Sequence, residues 1–240
     1  MPLIDALVGL VYKTFFLVGE SSYRKTPSIL KVFFTIISLL VLINNPYMGS
    51  LTILFLVSIL GVIGYSNKWV YASLTLSSIP GVWYALTAYV LGLIGFTQQI
   101  TLTHTLWIYI RTTTISYLIL FIASMISPTK IFNILLHIKR DAATTPLLLW
   151  RITPYGLTTI MESLAIGKLK KEKTRSRIAP AMASLIEYGE LVKEINYYRL
   201  MNPPKHPIPI ENSLKHTIIL LSGLIAEIIL LSSMIMSTYH

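Results

Sequence analysis

The chain has no cysteine. That excludes disulfides, thiolate metal sites and a cysteine nucleophile. Charge is scarce as well: charged residues make up 12% of the 240 positions, about half the share usual in soluble domains. Acids are the scarcer sign, 10 Asp and Glu against 20 Lys and Arg, which leaves a net charge of +10. No glycine-rich phosphate loop occurs, so the chain is not expected to bind ATP itself. Nucleophile-elbow and zinc-protease signatures are missing too. The five histidines, at 104, 137, 206, 216 and 240, have no metal-ligand spacing. The expectation is a protein that is not an enzyme and carries neither cofactor nor metal.

What the chain does have is apolar length. Hydrophobic residues make up 54% and the mean hydropathy is +0.67. A soluble domain of this size does not need so much apolar surface, so the first reading is a membrane protein. Five apolar runs fit this: Ile29–Ile43, Leu51–Tyr65, Trp69–Phe96, Leu102–Ile126 and Ser213–Ser237. The first two are short and need flanking residues to reach the roughly 20 that a span requires. Pro80-Gly81 is expected to kink the third. Asp5 interrupts the first apolar stretch, and no small-residue cleavage pattern follows it. Leu3–Val18 therefore reads as an interfacial helix rather than a cleaved signal.

Residues 127–211 differ from the rest. They hold 13 of the 20 Lys and Arg and 7 of the 10 acids. A basic patch can bind nucleic acid, but beside such apolar spans the positive-inside rule and lipid headgroups explain it better. The loops holding Arg24, Lys25 and Lys68 fall on the same side as this block. The opposite turns, Asn44–Pro46 and Gln98-Gln99, are uncharged. The expected topology has five spans at the cell membrane, with the block and the N-terminus cytoplasmic and the C-terminus outside. The expected divisions are 1–126 (interfacial segment and four spans), 127–211 (cytoplasmic block) and 212–240 (last span).

The block reads as helical. Ser127-Pro128 starts a short helix over Thr129–Ile138, with Ser127 as its cap. Two longer runs follow, 145–171 and 177–201. The first sets Trp150, Leu157, Met161 and Leu164 at helical spacing; the second does so with Ala181, Leu185, Tyr188, Val192 and Ile195. Glu187, Glu190 and Glu194 cluster on another face of the second run. Like charges four apart cost a helix a few tenths of a kcal/mol, so the cluster does not serve local helix stability. Asn202-Pro203-Pro204 ends the run.

Several stretches stand in a telling order: Tyr23-Arg24-Lys25-Thr26 through Leu30-Lys31, then Ile126-Ser127-Pro128, then Arg151-Ile152-Thr153-Pro154, then Pro180, Glu187, Glu190 and Arg199. In their order and spacing the chain resembles the transmembrane T component of energy-coupling factor transporters, the vitamin and metal-ion importers of the ABC class. The resemblance implies an all-α polytopic protein with about five transmembrane helices and two long cytoplasmic coupling helices. Each coupling helix ends in a triplet that engages one of two ABC-type ATPase subunits. A small substrate-binding membrane subunit is the implied third partner, beside the lipid bilayer, and no nucleic acid is implied.

The first triplet falls at Leu169-Lys170-Lys171 and the second at Tyr198-Arg199-Leu200. The first has lysine where the family has arginine, and lysine cannot form arginine's bidentate fork. Arg199 is therefore the stronger expected contact.

Other readings of the same residues stand beside this one. Arg199 also suits a helix C-terminus, where the dipole favours a cation, and the glutamate cluster also suits a solvated face. Arg111 lies inside the fourth run, where an arginine costs about 2.5–3.5 kcal/mol on insertion scales. It either snorkels outward past His104, packs against a partner protein or pairs with Glu227 in the last run. A membrane-embedded lipid enzyme using His137, Glu162 or Glu190 is the alternative from another class, and a membrane scaffold without transport is a third.

Overall fold

The structure is a computed structural model that describes residues 2–16, 19, 21–95, 101–138, 143–170, 180, 183, 186–190, 194 and 207–238. Among these residues it is all helical, with no strand. The chain divides into two compact units. One joins Met1–Tyr12 to Ile126–Glu211, and the other joins Lys13–Met125 to Asn212–His240.

The helices are α1 (Pro2–Phe15), α2 (Ser28–Asn44), α3 (Met48–Gly64), α4 (Asn67–Ile94), α5 (Leu102–Met125), α6 (Pro128–Ile138), α7 (Thr144–Leu169) and α8 (Leu214–Thr238), with a 3₁₀ turn at Ser22–Lys25. Three of them, α4, α5 and α8, are long and apolar enough to cross a membrane. At 1.5 Å per residue they run about 36–42 Å against a hydrocarbon core of about 30 Å. Helices α2 and α3 have 17 residues each, about 25 Å, and fall short of that core on their own. The expected interfacial helix ends at Phe15, three residues before the predicted boundary.

Helix α4 runs unbroken through Pro80. Gly81, next in the chain, marks where α4 meets α5. A methyl group on Gly81 would sit 2.2 Å from Thr113 Oγ1 and 3.1 Å from the Tyr109 ring. In a bilayer, lipid tails are as apolar as leucine, so helices associate through close packing and hydrogen bonds rather than the hydrophobic effect. Glycine at the crossing lets the two backbones approach. Ser66 caps the start of α4, its hydroxyl accepting from the Trp69 amide at 3.2 Å.

The core of the second unit is aromatic. Tyr23, Phe34, Trp69, Tyr117 and Phe121 are fully buried and meet edge-on or tilted, with ring centroids 5.6–5.8 Å apart. Such geometry sets each ring's positive edge against a neighbour's negative face. Two polar atoms of these rings are satisfied from the backbone. Tyr23 donates to the Leu60 carbonyl at 2.9 Å and Trp69 Nε1 to the Thr14 carbonyl at 2.9 Å. Burial raises the Tyr23 phenol's pKa above its ordinary value, so the group stays a protonated donor.

Candidate functional site

Two places gather the chemistry that the sequence singles out. The first lies within the unit that contains α6 and α7. Ser127 caps α6 as expected, its hydroxyl accepting from the Lys130 amide at 3.3 Å. Phe132 of α6 is buried in this unit. Asn133, one residue on, uses its whole carboxamide on one distant residue. Nδ2 donates to the Ile208 carbonyl at 2.9 Å, and the Ile208 amide donates to Oδ1 at 3.0 Å. Proline at 207 and 209 removes the neighbouring amides as donors, so this two-point clamp fixes the segment that leads into α8.

Helix α7 carries Pro154 inside it and ends at Leu169, with Lys170 in the following turn. Of the predicted apolar face, Trp150, Leu157 and Met161 are half-buried. Tyr155 stacks on Tyr188, with ring centroids 4.0 Å apart and planes 24° apart. That contact joins α7 to the second predicted run, where residues 186–190 are helical.

A second stripe on α7 was not expected. Glu162, Ala165, Ile166 and Leu169 are all exposed, and their spacing puts them on one side of the helix. Ile166 is 53% and Leu169 84% exposed. The stripe ends at Lys170, which is exposed as well. Glu187 and Glu190 are also exposed. Lys171, Tyr198, Arg199 and Leu200 lie outside the described residues, so one residue pair of the first triplet is placed and the second triplet is not.

The other place lies within the unit of α2–α5 and α8, around Arg24. This side chain is 3% exposed and its guanidinium donates to three backbone carbonyls: Nε to Ser124 at 2.9 Å, one terminal nitrogen to Phe15 at 2.7 Å and the other to Gly19. Lys31 Nζ donates to the Met125 carbonyl at 2.7 Å and to that of Arg24 at 3.0 Å. Phe15 ends α1, and Ser124 and Met125 end α5. The last carbonyls of a helix have no partner within it and carry the negative end of its dipole. Arg24 and Lys31 supply both the missing donors and the opposing charge. The signal in the sequence was a polar, basic stretch between two apolar runs, but nothing in that stretch says which helix ends its cations serve.

Arg111 and Glu227 do not pair. Arg111 is exposed on α5, whereas Glu227 is fully buried on α8 with its Oε1 2.5 Å from Ser38 Oγ of α2. The pairing was one of three readings of Arg111, and residues in apolar runs say nothing of the faces they occupy. Arg111 stays an outward-facing cation within a helix long enough to cross a membrane.

The groups of the lipid-enzyme reading lie on three different helical segments. His137 is exposed and its Nδ1 lies 2.7 Å from the Asn133 carbonyl of its own helix, and Glu162 and Glu190 are exposed on α7 and on the second run. No group of three His, Cys, Asp or Glu able to hold a metal occurs among the described residues. An apolar groove of about 330 Å³ runs between α3 and α8, lined by Phe55, Ile59, Ile63, Ile219, Gly223 and Leu230 among others. Its walls offer hydrocarbon contact and no acid–base pair. Comparison with known proteins finds no matching family model, no matching curated protein and no matching solved structure.

Proposed function

We propose that this protein is the transmembrane coupling subunit of an energy-coupling factor type ABC importer, one that passes ATPase motion to a substrate-binding membrane subunit for vitamin or metal-ion uptake. The observation that carries the reading is the end of α7. There Ile166 and Leu169 stand bare beside Lys170, at the end of a helix whose earlier residues range from buried (Leu148) to exposed (Leu149, Tyr155). Exposed isoleucine and leucine next to a cation suit a surface that a partner covers. The Tyr155–Tyr188 stack supports a second element held against α7, so that a pull at either end would be felt by both.

In this reading α2, α3, α4, α5 and α8 are the five spans, with α2 and α3 completed by flanking residues. The basic unit is cytoplasmic. The mechanism is mechanical: ATP closes two nucleotide-binding subunits, which grip the ends of the two runs near Lys170 and Arg199. The block moves with them and reorients the membrane subunit that holds the cargo.

The test is copurification and uptake in charge-reversal variants. Arg199→Glu is expected to release one ATPase and abolish uptake while leaving membrane insertion intact. Truncating one side of a buried charged contact costs about 2–5 kcal/mol, and reversal should cost at least as much. Lys170→Glu is expected to do less, because Lys168 and Lys171 adjoin it in the sequence. Retention of both ATPases and full uptake by Arg199→Glu would reduce Arg199 to a helix-end charge and remove the motif from the argument.

A further inference from the structure

Glu227 takes no part in the surface just described, and its surroundings define its chemical state. It lies midway along α8, a helix long and apolar enough to cross a membrane, and it is fully buried. Ser38 on α2 is fully buried too. The Ser38 hydroxyl oxygen is 2.5 Å from Glu227 Oε1 and 2.8 Å from the Phe34 carbonyl. Glu227 Oε2 has no hydrogen-bond partner among the described residues, and no cation pairs with it among them.

Counting protons distinguishes the two possible states. A serine hydroxyl has one proton to give. If that proton goes to the carboxylate, Oε2 is left as half of a buried anion that meets no donor. An uncompensated charge in an apolar interior costs far more than a neutral carbonyl left unpaired. If the proton goes to Phe34, the 2.5 Å contact to Oε1 needs a hydrogen from the carboxyl side. A neutral acid supplies it and turns Oε2 into an ordinary carbonyl oxygen.

We propose that Glu227 is a proton-binding site in the seam between α2 and α8, a carboxylic acid whose Oε1–H donates to Ser38, which in turn donates to the Phe34 carbonyl. The relay latches the two helices. It matters because α2 and α8 pack along each other in surroundings where hydrogen bonds and close contact are the main attractions between helices. The proposal is independent of what the basic unit binds.

Infrared difference spectroscopy on the purified full chain reads the proton directly. Wild type minus Glu227→Gln at neutral pH is expected to show the carbonyl band of a protonated carboxyl, and Ser38→Ala is expected to shift that band. Melting in detergent gives a second reading. Glutamine can donate to Ser38 as the acid does, so Glu227→Gln is expected to melt close to wild type. Glu227→Ala and Ser38→Ala should both melt lower, and the double variant no lower than the worse single one. Carboxylate bands in the difference spectrum overturn the proposal. So does a Glu227→Gln protein that fails to fold or melts as low as Glu227→Ala.

Discussion

Arg24 shows how much of this protein rests on single side chains. It is a buried cation that donates to backbone carbonyls at the ends of two helices and to that of Gly19. Hydrogen bonds to charged groups contribute about 1.5–3 kcal/mol each, and carbonyls left bare add a desolvation cost. Arg24→Ala is expected to lower unfolding stability by at least about 2 kcal/mol, read as a drop in detergent melting temperature. Arg24→Lys should recover only part of the loss, because an ammonium is a point charge and cannot span the three carbonyls as a planar fork does. Full recovery by lysine would mean that charge alone matters there.

Gly64 makes the same point through space rather than charge. A methyl group at Gly64 would sit 2.0 Å from the Tyr23 ring, and that ring is fully buried with its hydroxyl bound to Leu60. The ring has nowhere to go. Gly64→Ala is expected to destabilise by about 1–3 kcal/mol, the usual range for overpacking. Gly95→Ala meets no neighbour within 4 Å, but it sits at φ +83 in the left-handed region, so any cost there comes from the backbone rather than from crowding.

At the scale of elements, α7 separates two kinds of signal. Its half-buried face follows the apolar spacing of Trp150, Leu157 and Met161, which periodicity alone predicts. Its exposed stripe, Ile166 and Leu169, has the same residue types, and periodicity cannot tell a face that packs within the chain from one that waits for a partner. The clamp on α6 is a further element-scale feature. Asn133→Ala removes both hydrogen bonds to Ile208, each contributing about 0.5–1.5 kcal/mol net. The expected result is faster hydrogen exchange at the Ile208 amide with little change in global melting, since the bonds are exposed and local. Unchanged exchange would show that the segment is held by something else.

At the scale of the whole molecule, the chain divides into an apolar unit with an aromatic core and a basic unit built from 126–211 with the first residues. The five-span reading makes a clean prediction because the chain has no cysteine of its own. Lys173→Cys should label with an impermeant reagent only from the cytoplasmic side, and Gln99→Cys only from outside. Labelling of both from one face would require an even number of spans between them and would sink the topology.

Composition and apolar run length were enough to determine the class and the positions of the long helices. The observed α4, α5 and α8 start and stop within a few residues of the runs read from the sequence, because an unbroken apolar run of that length is itself the signal of a helix long enough to cross a membrane. The Ser127 cap was legible for a similar reason: it needs one hydroxyl at one position relative to a helix start. What the sequence could not decide were the pairings. That Arg24 serves the ends of α1 and α5, that Glu227 meets Ser38 rather than Arg111, and that Asn133 holds Ile208 all depend on which faces of distant segments turn toward each other. Periodicity gives each helix a face but no partner. The close approach of Gly64 to the Tyr23 ring, and of Gly81 to Thr113 and Tyr109 of α5, is likewise decided only in three dimensions.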